Sequence, residues 1–186
     1  MKSKTDEELM KIFQNSKDDQ CKIAFDHLYH RYAKQMVNYF YYALKNDNEK
    51  AQDFLHDLFL KIIENKDKFD CNQSFKPWIY RIAINMCNNE YRRKKIFHKY
   101  EEHIKASETD YYTNNYIENT TEKDLWNCIN TMNPEKRALI ILRFKFNLSI
   151  NEMALIFNCA EGTIKSRLFY TTKELSKIFK KQNYEF

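Results

Sequence analysis

Residues 148–175 read LSINEMALIFNCAEGTIKSRLFYTTKEL, and their chemistry is concentrated in the second half. At helical spacing, Lys165, Ser166, Phe169, Tyr170 and Lys173 share one side, while Ile164, Leu168, Thr171 and Leu175 share the other. An ammonium and a hydroxyl can grip phosphate or a base edge, and an aromatic ring can meet a thymine methyl. The apolar side would dock this helix on a partner. That partner is written just upstream: Ser149 and Glu152 form an S-x-x-E capping box, and Met153, Ala154 and Phe157 follow at helical spacing. Asn158 stands where the chain must turn, a position that suits a residue tolerant of left-handed backbone. Two short helices about a tight turn, the second basic and partly apolar, form the pattern that enters a DNA major groove. The same periodicity also suits a plain amphipathic hairpin.

Two further stripes carry polar groups opposite a predicted core. On a helix expected over about 49–64, Asp53, His56, Asp57 and Leu60 share a face opposite Ala51, Phe54, Leu55, Leu58 and Ile62. It reads either as a solvated face or, because an aliphatic residue sits among acids, as a protein-binding surface. On the helix expected over 75–95, Ile79, Ile82, Ala83 and Met86 point inward, and Arg81, Asn85, Asn88 and Arg92 line the other side. Arg can hold phosphate and Asn can pair with an exposed base edge. Trp78 and Tyr80 offer rings for base stacking, although Trp78 at a helix start also suits the core.

Several kinds of chemistry are excluded. The histidines, His27, His30, His56, His98 and His103, fall at unrelated positions, and no acid–base or nucleophile constellation accompanies them. The five cysteines, Cys21, Cys71, Cys87, Cys128 and Cys159, are scattered without a C-x-x-C pair. They read as buried free thiols in a reducing cytoplasm, with no metal site and no cofactor expected. Gly162 is the only glycine, where average usage would give about a dozen, so glycine-dependent phosphate loops are absent. No run approaches about 18 apolar residues, and the opening MKSKTDEELMK lacks a signal-peptide core. No membrane insertion is expected.

The elements that must position these stripes are all helical. Thr5 and Glu8 form another capping box, opening a helix through about Phe13. A longer helix from about Gln20 carries Phe25, Leu28, Tyr29, Tyr32, Met36 and Phe40 and ends near Lys45-Asn46-Asp47. Pro77 sits in the first turn of the 75–95 helix, which reaches the cluster Arg92-Arg93-Lys94-Lys95. From about His98 to Thr121 the text is polar and poor in aliphatics, and reads as a flexible linker with some helix at its edges. Helices resume with Leu125, Trp126 and Ile129, and Asn133-Pro134 opens another that carries Leu139, Ile140, Leu142 and Arg143. Charge follows the same division. The net charge is +5; residues 1–97 hold 18 basic and 14 acidic residues, 98–122 hold 2 and 6, and 123–186 hold 11 and 6. Two basic blocks flanking an acidic connector suit a polyanionic partner. The fold class expected is all-α: a domain over 1–97, a linker over 98–121 and a helix-turn-helix domain over 122–186.

In this order and spacing the segments resemble the extracytoplasmic-function sigma factors of the bacterial sigma-70 family. FDHLYHRYA resembles the family's opening helix, NEKAQDFLHDLFLKI its polymerase-binding helix, and SFKPWIYRIAINMCNNEYRRKK the segment that binds the −10 element. The resemblance implies core RNA polymerase and promoter DNA as partners, an anti-sigma factor as a further one, and a free chain that is a cytoplasmic monomer. It implies that Asp53, His56, Asp57 and Leu60 contact the largest polymerase subunit, with His56-Asp57 standing where Gln-Glu is usual. It gives Asn85 and Asn89 the −10 element, helped by the loop Asp67 to Ser74, which would accept a flipped base. Asn89 lies off the Arg81-Asn85-Asn88-Arg92 stripe, so both Asn88 and Asn89 stand as candidates. Thr163, Lys165, Ser166, Arg167, Phe169 and Tyr170 would meet the −35 element. Ala160 replaces the usual Ser or Pro before that helix, removing a cap worth about 1 kcal/mol, and Tyr170 stands where Arg is common. A helix-turn-helix regulator of the response-regulator type would share residues 123–186 but would need a sheet-containing receiver upstream, and residues 1–97 show no strand pattern.

Overall fold

A computed structural model describes residues 3–102 and 120–184, with side chains over 3–97 and 122–181. Among the described residues every long element is a helix: α1 Asp6–Asn15, α2 Asp19–Ala43, α3 Asn48–Glu64, α4 Phe75–Glu102, α5 Thr120–Thr131, α6 Pro134–Ile140, α7 Ile150–Phe157 and α8 Glu161–Tyr184. A 3₁₀ turn, Lys66–Lys68, follows α3, and a π turn, Ile141–Lys145, continues α6.

Local chemistry sets these boundaries. Thr5 and Glu8 close the capping box of α1, and Ser149 and Glu152 close that of α7. Asp47 caps α3, and Asn133 caps α6 with Pro134 in its first turn. Each cap satisfies amides that a helix start leaves orphaned, at about 1 kcal/mol apiece. Lys45 and Asn46 take positive φ after α2, and Asn158 ends α7 in the left-handed conformation at φ 49°. The helix α4 runs to Glu102 and α5 starts at Thr120, so helix enters both edges of the segment read as linker. Residues 103–119 lie outside the described residues.

In the N-terminal unit α1 packs on α2, α2 on α3, and α4 crosses all three. In the C-terminal unit α5, α6 and α7 pack on α8. The units also pack on each other. α4 meets α6 and α7, α2 meets α6, and one apolar core runs from Leu28, Tyr39 and Tyr80 into Ala138, Ile141, Leu142 and Ile156. Across this seam the Phe146 ring lies 6.3 Å from those of both Tyr39 and Tyr80. Tyr42 stacks on Trp126 at 4.7 Å, with the Lys145 ammonium over the Tyr42 ring. A smaller cluster of Cys128, Ile129, Met132, Ile140 and Leu175 closes the far end of the C-terminal unit.

Arg137 fastens the seam. It is 4% exposed, and its guanidinium donates to the carbonyls of Ala43 at 2.7 Å, Asn130 at 2.9 Å, Met132 at 3.0 Å and Ile129 at 3.4 Å. These carbonyls belong to the C-terminal ends of α2 and α5, where the helix dipole places partial negative charge. Burial pulls the Arg137 pKa down, opposed by nearby Cys87 and Tyr39.

Candidate nucleic-acid interface

The α7–α8 pair is built as its sequence predicts, with one change: on α7, Met153, Ala154 and Ile156 are buried while Phe157 is only half-buried; on α8, Ile164, Leu168, Thr171 and Leu175 are buried. With that face committed, Lys165, Ser166, Phe169, Tyr170 and Lys173 are exposed. Phe169 is 61% and Tyr170 67% exposed, their rings edge to face at 5.4 Å. Thr163 is half-buried, and its carbonyl accepts from the Ser166 hydroxyl at 3.2 Å. Arg167 is exposed and pairs with Glu135 at 3.1 Å, and Lys165 lies 4.0 Å from Glu161. Both pairs are in solvent and worth little, so phosphate can displace them.

The α4 stripe has a different setting. Arg81 donates to the carbonyls of Leu155 at 2.8 Å and Ile156 at 3.3 Å, at the C-terminal end of α7. Beside it, Lys76 pairs with Glu152 at 2.6 Å. Arg81, Asn85 and Asn88 then line a cleft of about 320 Å³ whose other wall is Phe157, Asn158, Glu135 and Arg167. The sequence places this stripe toward a ligand; the structure turns Arg81 and Asn88 toward the C-terminal unit. Arg92 remains exposed, next to Asn89.

Asn89 opens onto another side. With Asn85, Trp78, Met86, Lys61 and Lys68 it lines a cleft of about 330 Å³. Asn85 therefore borders both clefts. Trp78 is half-buried, packed on Phe69 at 5.0 Å and Phe75 at 5.7 Å. Tyr80 corrects the sequence reading: as a stacking ring it would need access, and it is fully buried against Tyr39 at 5.8 Å. Its position one residue past Ile79 on a helix wrapped on two sides leaves it no exposed face.

The loop between the 3₁₀ turn and α4 carries its polar groups outward. Asp70 Oδ1 accepts from the backbone and side-chain nitrogens of Asn72, both at 2.9 Å. Asn72, Gln73 and Ser74 face Asn151, Asn158 and Cys159 of the helix-turn-helix across a cavity of about 560 Å³.

On α3, Asp53, His56, Asp57 and Leu60 are all exposed, Leu60 at 56%. Ile63, 42% exposed, adds a second aliphatic to this face through its spacing from His56 and Leu60. Sequence reasoning passed over Ile63 because it neighbours the buried Ile62. It also passed over Arg137, whose role depends on a seam that no local pattern announces. Among the described residues no cluster of three or more metal-ligating side chains occurs, and no helix is long and apolar enough to cross a membrane.

Comparison with known proteins agrees with this architecture. The family model "Sigma-70 region 2" matches residues 28–96, and "Sigma-70, region 4" matches 122–175. The chain is 28% identical over 178 residues to the ECF RNA polymerase sigma factor SigW of Bacillus subtilis, covering 90% of this chain and 94% of that protein. It is 26% identical over 161 residues to the ECF RNA polymerase sigma-E factor of Haemophilus influenzae, covering 80% and 83%. Two solved structures share the fold. One is the sigma factor RpoE bound to the anti-sigma factor NepR from Bartonella quintana, with a TM-score of 0.63, 21% identity, and coverage of 84% of this chain and 96% of that one. The other is CnrH with the cytosolic domain of CnrY, with a TM-score of 0.64, 16% identity, and coverage of 93% and 96%. The chain belongs to the sigma-70 family, and within it to the extracytoplasmic-function class. It is an RNA polymerase sigma factor that directs transcription from specific promoters, and the sigma factors are a family of transcription regulators rather than enzymes.

Proposed function

We propose that three surfaces divide the work. The α3 face of Asp53, His56, Asp57 and Leu60, widened by Ile63, docks on core RNA polymerase; exposed aliphatics bordered by acids suit a protein contact. The cleft of Asn85, Asn89 and Trp78, flanked by Lys61 and Lys68, takes unpaired −10 bases, with the loop Asp67 to Ser74 beside it. Amides supply base-edge donors and acceptors, the indole a stacking plane, and the lysines phosphate contacts. Between the two asparagine candidates, the cleft favours Asn89, because Asn88 faces the C-terminal unit. Arg81 joins the −10 surface only when its bonds to Leu155 and Ile156 break, and Arg92 extends that surface along α4. Thr163, Lys165, Ser166, Arg167, Phe169 and Tyr170 meet the −35 element, Arg167 through phosphate.

The observation that carries this reading is the outward face of α8, where Lys165, Ser166, Phe169 and Tyr170 stand together in solvent while the opposite face is locked in the core. Melting needs no energy source beyond preference: a cleft that fits single-stranded −10 DNA and not duplex pulls the equilibrium toward the open promoter. The chain works in the cytoplasm as a monomer until it meets polymerase, and an anti-sigma factor restrains it, a reading supported by the RpoE structure, which holds the anti-sigma factor NepR.

Reconstitution tests this. The chain mixed with core polymerase is expected to give transcription from a subset of genomic promoters sharing −10 and −35 sequences. Asn89→Ala is expected to reduce permanganate-reactive thymines while leaving duplex −35 binding intact. Normal opening in that variant together with lost duplex binding reverses the assignment.

A further inference from the structure

Helix α1 lies outside the residues matched by either family model, yet it holds both ends of the loop that precedes α4. At the entry, Gln14 Nε2 donates to the carbonyls of Lys66 at 2.7 Å and Phe69 at 2.8 Å. Its Oε1 accepts from the Cys71 thiol at 3.0 Å. One carboxamide thus engages the 3₁₀ turn and two loop residues with both donors and its acceptor. Lys66 returns the contact, donating to the Phe13 carbonyl at 3.1 Å with its ammonium 5.0 Å from the Phe13 ring. At the exit, Glu7 Oε1 accepts from the Phe75 amide at 3.0 Å, the first amide of α4. Between these anchors Asp70, Asn72, Gln73 and Ser74 remain exposed.

We propose that α1 is a brace for this loop, and that Gln14 is a positioning residue that sets base selectivity at the −10 element without touching DNA. The proposal rests on the loop's assignment as a base-accepting element. A short polar loop discriminates bases only if its donors and acceptors are held in place before the base arrives. Ordering it at the moment of binding would cost affinity for every base and blunt the difference between them. Asp70 organises the loop internally through Asn72 and Gln73; Phe69 packs its entry on Phe75 and Trp78, and the side-chain hydrogen bonds from α1 tie the backbone at both ends.

The test uses holoenzyme assembled from the full chain and core polymerase, with single-stranded −10 oligonucleotides carrying each base in turn at each position, read by anisotropy competition. Gln14→Met keeps the length of the side chain and removes both donors and the acceptor. The expected result is a roughly fivefold loss of preference at one position, the effect of about one hydrogen bond's worth of positioning, with core and −35 duplex affinities unchanged. Equal loss for all four bases, or an unaltered preference, overturns the brace. Lys66→Met cuts the second tie from the loop side and is read the same way, so poor folding of one variant does not decide the matter. The Asn72→Ala, Gln73→Ala pair separates the brace from its premise. Unchanged preference in that pair means the loop does not read bases; altered preference there with none in Gln14→Met means the loop reads and the brace fails.

Discussion

Glu152 serves two helices at once. Its carboxylate accepts from the Ser149 amide at 2.8 Å, closing the capping box of α7, and pairs with Lys76 of α4 at 2.6 Å. The Lys76 bond first, then the Ser149 amide, hold its pKa at about 2 against an ordinary 4.5, although burial works the other way. A carboxyl depressed by folding contributes stability above its ordinary pKa, and that contribution disappears as pH falls from 4.5 through about 2. With about a third of the side chain exposed, solvent screening keeps its weight modest. Lys76→Met is expected to move the Glu152 pKa up, as followed by NMR titration of its carboxyl carbon, and to shrink the acid-dependent loss over that window. An unmoved pKa assigns the depression to the cap alone. Gly162 poses a different question in the next helix. A methyl placed there meets nothing within 4 Å, and its φ is not positive. Gly162→Ala is therefore expected to raise stability by about 0.5 kcal/mol through helix propensity and a less free unfolded chain. A thermal melt checks the sign.

At the scale of elements, α3 and α8 each turn one face inward and leave the other exposed. Reversing charge on α3 with Asp53→Lys and Asp57→Lys is expected to weaken core polymerase binding in a pull-down, while duplex −35 binding is spared. Equal capture of polymerase by the variant would remove α3 from that role. On α8, replacing Lys165 and Ser166 by Ala is expected to cost roughly 1–3 kcal/mol on the preferred −35 site and to flatten base preference. Selection from a randomised −35 library reads this out; Arg167→Ala, which loses a phosphate-type contact, should weaken all sequences alike. Helices, caps and inward faces were legible in the sequence because they depend on residues three or four apart: Ser149 with Glu152, Asn158 at the turn, Leu168 with Thr171. What could not be read depends on contacts between distant residues. The Gln14 bonds to Lys66 and Phe69 leave no periodic trace, and neither does the burial of Tyr80 or the turning of Arg81 onto the end of α7. A period reveals that a face is apolar, not which element it will meet.

For the whole molecule, the seam between the units decides what is available. Arg81 and Asn88 face the C-terminal unit, so a chain that engages the −10 element with its full α4 stripe has exchanged those contacts for DNA. Arg137 sets part of the cost of the exchange. Its bond to the Ala43 carbonyl crosses the seam, and its bonds to Asn130 and Met132 hold it there, so parting the units breaks the Ala43 bond and the packing around it. The core that passes beneath it without a break has a calorimetric meaning. Two bodies sharing one apolar interior are expected to lose it together, so heating the free chain should give one transition, with van't Hoff and calorimetric enthalpies equal. A ligand that parts the units removes that shared interior, and the heat trace should then divide in two. The shape of a melting curve becomes a gauge of whether the molecule is closed.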